Sequence, residues 1–249
     1  MDYTRRFTKR ADWYASYRPS YPARIIGILE KETGFGSRHV VADIGSGTGL
    51  LSRIFLENGN KVFGVEPNDS MRSYAERDLG GFRNFVSVRG TAEHTTLPSR
   101  SVNLVTAGQA LHWFDPAGAA KEFSRISKPG GSLCVAYNSR KNDRVGQAYG
   151  RIISRYARDK AKVPNADAKY IARFFKDGEC SKHTLSNEQS LDLEGLLGRL
   201  LSASYMPPPD EKGEHSKLRG DVTKMFEELS SDGRLKIRYR TNVFVGKIA

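Results

Sequence analysis

The chain has 249 residues, 38 % of them hydrophobic, a formal net charge of +12 and a pI near 9.7. That length allows one α/β domain with elaborations around a single core. A mean hydropathy of −0.54 and the lack of any apolar run near the roughly 18 residues of a membrane span exclude a spanning helix. Two cysteines, Cys134 and Cys180, give neither a disulfide framework nor a metal-ligand spacing, so no metal is expected.

Residues 1–21 form an aromatic arm carrying Phe7, Trp13, Tyr14, Tyr17, Arg18 and Tyr21 and ending in YRPSYP. The opening MDYTRRFTKRADWY contains acids and no apolar stretch, so neither a secretory signal nor a typical transit peptide is expected, and the expected setting is cytoplasmic. Pro22 suits the first turn of a helix with an apolar stripe at Ile25, Ile26, Ile28 and Leu29, stopped by Gly34-Phe35-Gly36. Val40, Val41 and Ile44 then make a short buried strand with Asp43 at its outgoing end. Gly45, Gly47 and Gly49 follow at every second position around Ser46, and a helix carrying Leu50, Leu51, Ile54 and Phe55 runs to Asn58-Gly59. Strand, glycine turn and helix together describe a cradle for a ligand.

The details of that turn choose among ligands. A P-loop places Lys and then Ser or Thr after its last glycine, whereas Leu50 and Leu51 follow Gly49. A dinucleotide fingerprint needs its third glycine one place later than Gly49 stands. Asp43 would repel a pyrophosphate and favour an ammonium group. The next strand, Lys61 to Val65, ends at Glu66, where an acid hydrogen-bonds ribose hydroxyls in α/β cofactor folds. A ligand with an amino-acid end and a ribose fits both carboxylates, and S-adenosylmethionine is the common one.

Pro67-Asn68-Asp69 then turns the chain and caps a helix with Met71, Tyr74 and Ala75. Phe85 to Val88 alternates as a strand and leads to Gly90-Thr91-Ala92-Glu93. Val102 to Ala107 is the fourth strand; it delivers Gly108-Gln109-Ala110-Leu111-His112-Trp113-Phe114-Asp115 to the carboxyl edge, where open α/β sheets bind ligands. Pro116 opens a helix with Phe123 and Ile126 inward, closed by Lys128-Pro129-Gly130-Gly131. Ser132 to Tyr137 is the fifth strand, which makes Cys134 an inert buried thiol and leaves Tyr137 and Asn138 beside the acceptor pocket.

VADIGSGTG followed by GVEPND resembles the first two motifs of class I S-adenosylmethionine-dependent methyltransferases. GTAEHTTLP, NLVTAGQALHWFD and RISKPGGSLCVAYN resemble the later motifs of the small-molecule "type 11" branch, which includes the trans-aconitate methyltransferases. The resemblance covers roughly Val40 to Asn138. It implies that Tyr14 and Arg18 of the arm reach the cofactor's methionine carboxylate, and that Pro67, Asn68 and Met71 border its ribose and adenine. It also puts Thr91, Ala92 and Glu93 at the adenine, the Ala92 amide on a ring nitrogen and Glu93 accepting from the exocyclic amine. Gln109 completes the cofactor set, and His112 and Trp113 come next to the reacting methyl. His112 is a candidate base or substrate-orienting group. For His39, His94, His183 and His215 a solvated role is expected.

Residues 141–176 read as helical, with Val145, Tyr149, Ile152, Ile153 and Tyr156 at helical spacing and Ile171, Phe174 and Phe175 beyond Pro164. Leu193 to Leu201 is a further helix ending near Tyr205, and Val222, Met225, Phe226 and Leu229 suit a last one. Leu235 to Val245 alternates and is expected as an antiparallel strand. The cluster Arg140, Lys141, Arg144, Arg151, Arg155, Arg158, Lys160 and Lys162 is expected as a solvated helix face rather than a polyanion site.

The expected fold is α/β: a doubly wound, seven-stranded, mostly parallel sheet with an arm at 1–21, a cofactor core at 22–139, a helical lid at 140–176 and the remaining sheet and helices at 177–249. The expected function is methyl transfer from S-adenosylmethionine to a small-molecule acceptor at O, N or C, with Trp113, Tyr137, Asn138, Tyr149 and Tyr205 lining the acceptor. An acidic acceptor is compatible with the net charge. Two other classes stay open: a nucleic-acid methyltransferase, disfavoured because GQALHWFD stands where a base-stacking motif would, and a non-catalytic S-adenosylmethionine-binding protein.

Overall fold

The β-branched runs find their partners in one seven-stranded sheet with the order β3-β2-β1-β4-β5-β7-β6. The strands of this computed structural model are β1 Val40–Ile44, β2 Lys61–Val65, β3 Phe85–Val88, β4 Val102–Gly108, β5 Ser127–Arg140, β6 Ser181–Leu191 and β7 Leu235–Lys247. The structure describes residues 16–158, 167–203, 205–207 and 212–249. Strands β1 to β5 pair in parallel, while β7 runs antiparallel to both β5 and β6.

The chain winds outward from β1 through β2 to β3, then returns to place β4 on the other side of β1. That reversal opens a crevice at the carboxyl ends of β1 and β4, the place where open α/β sheets take their ligands. The glycine turn after β1 and the GQALHW turn after β4 therefore flank one opening.

The helices cover both faces because the strands are apolar on both. On one face α1 (Ile25–Thr33), α2 (Ser52–Glu57) and α3 (Asp69–Leu79) bury Leu29, Phe55 and Leu79 against Val41, Leu104 and Val243. On the other, α4 (Pro116–Ile126) and the short α6 (Ala168–Ala172) set Phe123, Ile171 and Phe174 against Ala42, Val105 and Val135. A third core joins α5 (Arg144–Tyr156), α7 (Leu193–Leu201) and α8 (Lys212–Leu229) to the start of β7, around Tyr149, Leu200, Val222 and Tyr239. Side-chain caps start five of these helices: Asn68, Asp115, Asp143, Asp167 and Asp192 each accept from a backbone N–H in the first turn.

Two elements differ from the sequence reading. Lys128-Pro129-Gly130-Gly131 is not a plain loop but lies inside β5 as an irregularity: pairing advances from Val102↔Ser127 to Leu104↔Ser132, and Gly130 takes a φ of 81°. Strand β6, SKHTLSNEQSL, is an extra element. It is an edge strand, so its side chains alternate between half-buried and exposed and its composition stays polar. Among the described residues no helix is long and apolar enough to cross a membrane.

At the amino ends of the strands, buried Asn60 closes the connections. Its Nδ2 donates to the carbonyls of Gly36 at 2.9 Å and His39 at 2.8 Å, and Asn84 Nδ2 donates to its backbone carbonyl. Asn60→Ala leaves two carbonyls without this donor and should cost about 2 kcal/mol. Urea denaturation is expected to show a lowered midpoint with an unchanged slope; an unmoved midpoint would mean that water replaces the amide at no cost.

Candidate functional site

The glycine turn is sewn to the neighbouring strand before any ligand arrives. Gly45 N and Ser46 N both donate to Val65 O, at 2.8 and 3.1 Å. Gly45, Gly47 and Gly49 have φ of 65°, 56° and 83°, the left-handed region that glycine enters without steric cost. Their surroundings differ. A Cβ on Gly49 would lie 2.4 Å from Leu79 Cδ1, so this glycine lets α3 close on the turn. A Cβ on Gly47 would meet nothing within 4 Å: here the backbone borders open space.

Strand alternation sends Asp43 to the α2 side of β1, directly beneath the turn. Its Oδ2 accepts from Ser52 Oγ at 2.6 Å, while Oδ1, fully buried, has no hydrogen-bond partner among the described residues. Burial without a cation pushes this carboxyl up to about 7. Thr48 Oγ1, in the turn itself, is also buried without a partner.

Glu66, at the end of β2, spans the turn. Its Oε2 accepts from Gly47 N and its Oε1 from Asn68 N, both at 2.9 Å. Burial raises its pKa, opposed by those two N–H groups and by Arg72. Each carboxylate oxygen keeps a further lone pair for a hydroxyl donor. Asn68 is buried and caps α3 by accepting from Met71 N at 3.0 Å; Met71 is buried and Pro67 half-buried beside them. Ala92 is buried on the same rim, whereas Thr91 and Glu93 are exposed. Glu93 Oε1 accepts from Asp115 N at 2.9 Å and so ties its own loop to the start of α4.

Across the crevice, Gln109 adopts a φ of 55°, the bend that turns the chain out of β4. Its Oε1 accepts from Asn138 N at 3.0 Å, which locks the turn to the end of β5. His112 and Trp113 form one turn of 3₁₀ helix with ring centroids 4.7 Å apart. Tyr137 Oη lies 3.5 Å from His112 Nδ1. Burial drives His112 down to about 4 and raises Tyr137, so both rings are neutral near pH 7. Tyr170, on α6, donates to Phe114 O at 2.6 Å and pins this turn from the far side.

Arg18 donates to Ser202 O at 3.2 Å, at the end of α7. Asn138 Nδ2 donates to Ser20 O at 3.2 Å, fastening the arm over the end of β5. Tyr149 is buried in the third core and Tyr205 is half-buried against it, beside the start of β7. Tyr14 lies outside the described residues. Of the remaining histidines, His94 is exposed, His39 accepts from Gly36 N through Nδ1, and His183 sits 3.2 Å from Glu32. Sequence reasoning passed over Ser52, Thr48 and Tyr170. Ser52 was the most accessible of the three, being the first polar inward residue of the helix after the turn.

The donor set suits S-adenosylmethionine. Unpartnered Asp43 Oδ1 asks for a hydrogen-bond donor or cation, Glu66 has lone pairs for a ribose diol, and Gly47 leaves the approach bare. Known proteins agree. Residues 42–135 match the family described as a methyltransferase domain. An uncharacterized methyltransferase of Mycobacterium tuberculosis, Rv3342, is 36 % identical over 156 residues, which are 61 % of each chain's length. An uncharacterized methyltransferase-like protein of Schizosaccharomyces pombe, C25B8.10, is 27 % identical over 93 % of this chain and 91 % of its own. A solved structure from Anaeromyxobacter dehalogenans, assigned as a type II methyltransferase, shares the fold with a TM-score of 0.69 and 20 % identity, over 93 % of this chain and 98 % of that one. Asp43, the glycine turn and Glu66 all lie inside the matched segment 42–135, so the methyltransferase-domain likeness covers the candidate site, and the sheet order is that of the class I methyltransferase fold.

Proposed function

We propose that the protein transfers the methyl group of S-adenosylmethionine to a small-molecule acceptor, at O, N or C. The observation that carries this reading is the buried Asp43 Oδ1, which has no partner and lies below a bare backbone turn. Asp43 holds the amino-acid end of the cofactor, Glu66 its ribose, and the rim of Pro67, Asn68, Met71, Ala92 and Glu93 its adenine. Tyr14, Arg18, Ser46, Thr91 and Gln109 complete the cofactor side. His112, Trp113, Tyr137 and Asn138 face the acceptor, and the segment 140–176 acts as lid, supported by α5 leaving the carboxyl end of β5 and by Tyr170 clasping Phe114 O.

When bound, the cofactor supplies a methyl carbon already activated by its sulfonium. The chain's own task is to align the acceptor and exclude water, effects able to contribute several kcal/mol each. His112 is ill suited as a base: an imidazole whose conjugate acid has a pKa of about 4 takes up a proton weakly at neutral pH. Its neutral ring, held beside Tyr137 and Trp113, instead orients an acceptor that arrives ready to react.

Removal of the ribose clamp tests the cofactor assignment. Glu66→Ala should lose most of the thermal shift given by S-adenosylhomocysteine, with Kd raised about tenfold or more; an undiminished shift would remove Glu66 from the site. For His112, kcat at saturating cofactor should be flat from about pH 6 to about pH 9, and His112→Gln should lower it less than about tenfold. A limb near neutral pH that vanishes in the variant would restore the base.

Proton linkage gives a further check. Between pH 3.8 and about 7 the folded chain keeps a proton on Asp43 that the unfolded chain has lost, so the ligand-free protein loses stability as pH rises through that window. His112 acts oppositely: between 6.5 and about 4 the unfolded chain binds the proton, so stability falls as pH drops. Thermal unfolding of Asp43→Asn without ligand should lack the first decline, and the same variant should respond poorly to cofactor. A decline equal to that of the parent would mean that Asp43 is ionised throughout.

A further inference from the structure

A buried cation stands beside β7 in the third core with, among the described residues, no anion next to it. Arg199 projects from α7 at 8 % exposure. Its guanidinium, charged at any working pH, has five donors and makes one hydrogen bond, from Nε to Tyr239 Oη at 3.3 Å. The other groups that act on it electrostatically are the phenols of Tyr149 and Tyr205; among the described residues no carboxylate pairs with it. Elsewhere the chain does provide acids for its arginines: Arg125 meets Glu122, Arg155 meets Asp221 and Arg219 meets Glu194, all less buried. Burying an arginine without a counter-charge costs several kcal/mol, more than a partly satisfied phenol cluster returns.

The surroundings suit a ligand. Tyr149 is fully buried, and burial keeps its hydroxyl protonated, so it can donate to an anion. Tyr239 pairs with Arg140 and shares its face of the sheet with Thr241 and Asn138, whereas Tyr137, paired with Asn242, points to the opposite face. The cluster therefore lies about 10 Å of strand rise from the His112–Tyr137 end, toward the outgoing end of β5. Polar groups line the interval. Thr241 Oγ1 donates to Asn138 Oδ1, as does Asn187 Nδ2, and Tyr239 Oη donates to Gln189 Oε1 at 3.4 Å. The arm roofs this track: Gln189 Nε2 donates to Tyr17 O and Asn187 Nδ2 to Ser20 O, both at 2.8 Å. Gly198 leaves room for the Tyr17 ring, which a Cβ there would meet at 2.2 Å.

The geometry points to a subsite in which Arg199, with the hydroxyls of Tyr149, Tyr205 and Tyr239, receives a carboxylate of the methyl acceptor. This rests on the methyl-transfer reading and narrows it to acidic acceptors. Arg199 is the one buried positive charge of the cluster, while Arg140, stacked 4.3 Å over the Tyr149 ring, is half-exposed and screened by solvent. One negative charge is therefore balanced, and a carboxylate is favoured over a phosphate dianion.

The test is calorimetric titration of the full chain, saturated with S-adenosylhomocysteine, with short monocarboxylates and dicarboxylates, their methyl esters and matching phosphate monoesters. Acids should bind and esters should not, and Arg199→Gln should weaken the acids about thirtyfold or more. Should that variant fail to fold, Tyr205→Phe and Tyr239→Phe are expected to weaken the same acids. Equal binding of acids and esters, a preference for phosphates, or acid binding untouched by these variants would overturn the subsite. The cofactor shift in the same samples keeps the two readings apart. Its survival with no response to acids removes this subsite alone, and its absence in the parent protein removes the methyl-transfer reading.

Discussion

Two carboxylates buried at the tips of adjacent strands govern this molecule. β1 and β2 are paired up to Ile44↔Val65, so Asp43 and Glu66 come close with the glycine turn between them. Water would screen such a pair, but Asp43 is fully buried and Glu66 is 8 % exposed. The fold answers with N–H groups and a hydroxyl rather than with cations: Gly47 and Asn68 for Glu66, Ser52 for Asp43. Those donors hold the geometry without neutralising the charge, and the missing donor at Asp43 Oδ1 is where a ligand has the most to gain. The site is preorganised at a cost in stability, as binding sites commonly are.

The rest of the scaffold keeps that geometry rigid. Sewing of the turn to Val65 O, close packing of α3 on Gly49 and the Asn68 cap all act within a short stretch of chain. The facing wall is held differently, by contacts distant in sequence: Gln109 to Asn138, Tyr170 to Phe114, and Asn138 to the arm. One wall of the crevice is thus held by local contacts, and the facing wall by contacts drawn from across the chain.

That difference explains what could be read from the sequence. The glycine turn, Asp43 and Glu66 were legible because strand, turn and helix follow one another and each residue's partner lies within about twenty positions. The parallel strands were legible because burial on both faces gives an apolar run. Strand β6 was not, since an edge strand with one half-covered face reads as polar linker. For Glu93 and Gln109 nothing local shows that Asp115 N and Asn138 N would take up their oxygens. Arg199 was the least visible. In LEGLLGRLL it looks like the solvated cation of an amphipathic helix, and only the packing of α7 against β7 turns it inward.

The charges that remain unanswered also bear on the chemistry. His112 at about 4 and a protonated Tyr137 leave the end of the crevice between β4 and β5 without a group that takes up a proton readily at neutral pH. An acceptor that must shed a proton during methylation would find little help there. A carboxylate needs none, being already ionised and nucleophilic at working pH. On the proposed reading, neutral walls next to the sulfonium would leave that charge undiminished, while the buried guanidinium toward the outgoing end of β5 would hold an acid. The low basicity of His112 and the unpaired charge of Arg199 thus favour the same kind of acceptor, for reasons that do not depend on each other.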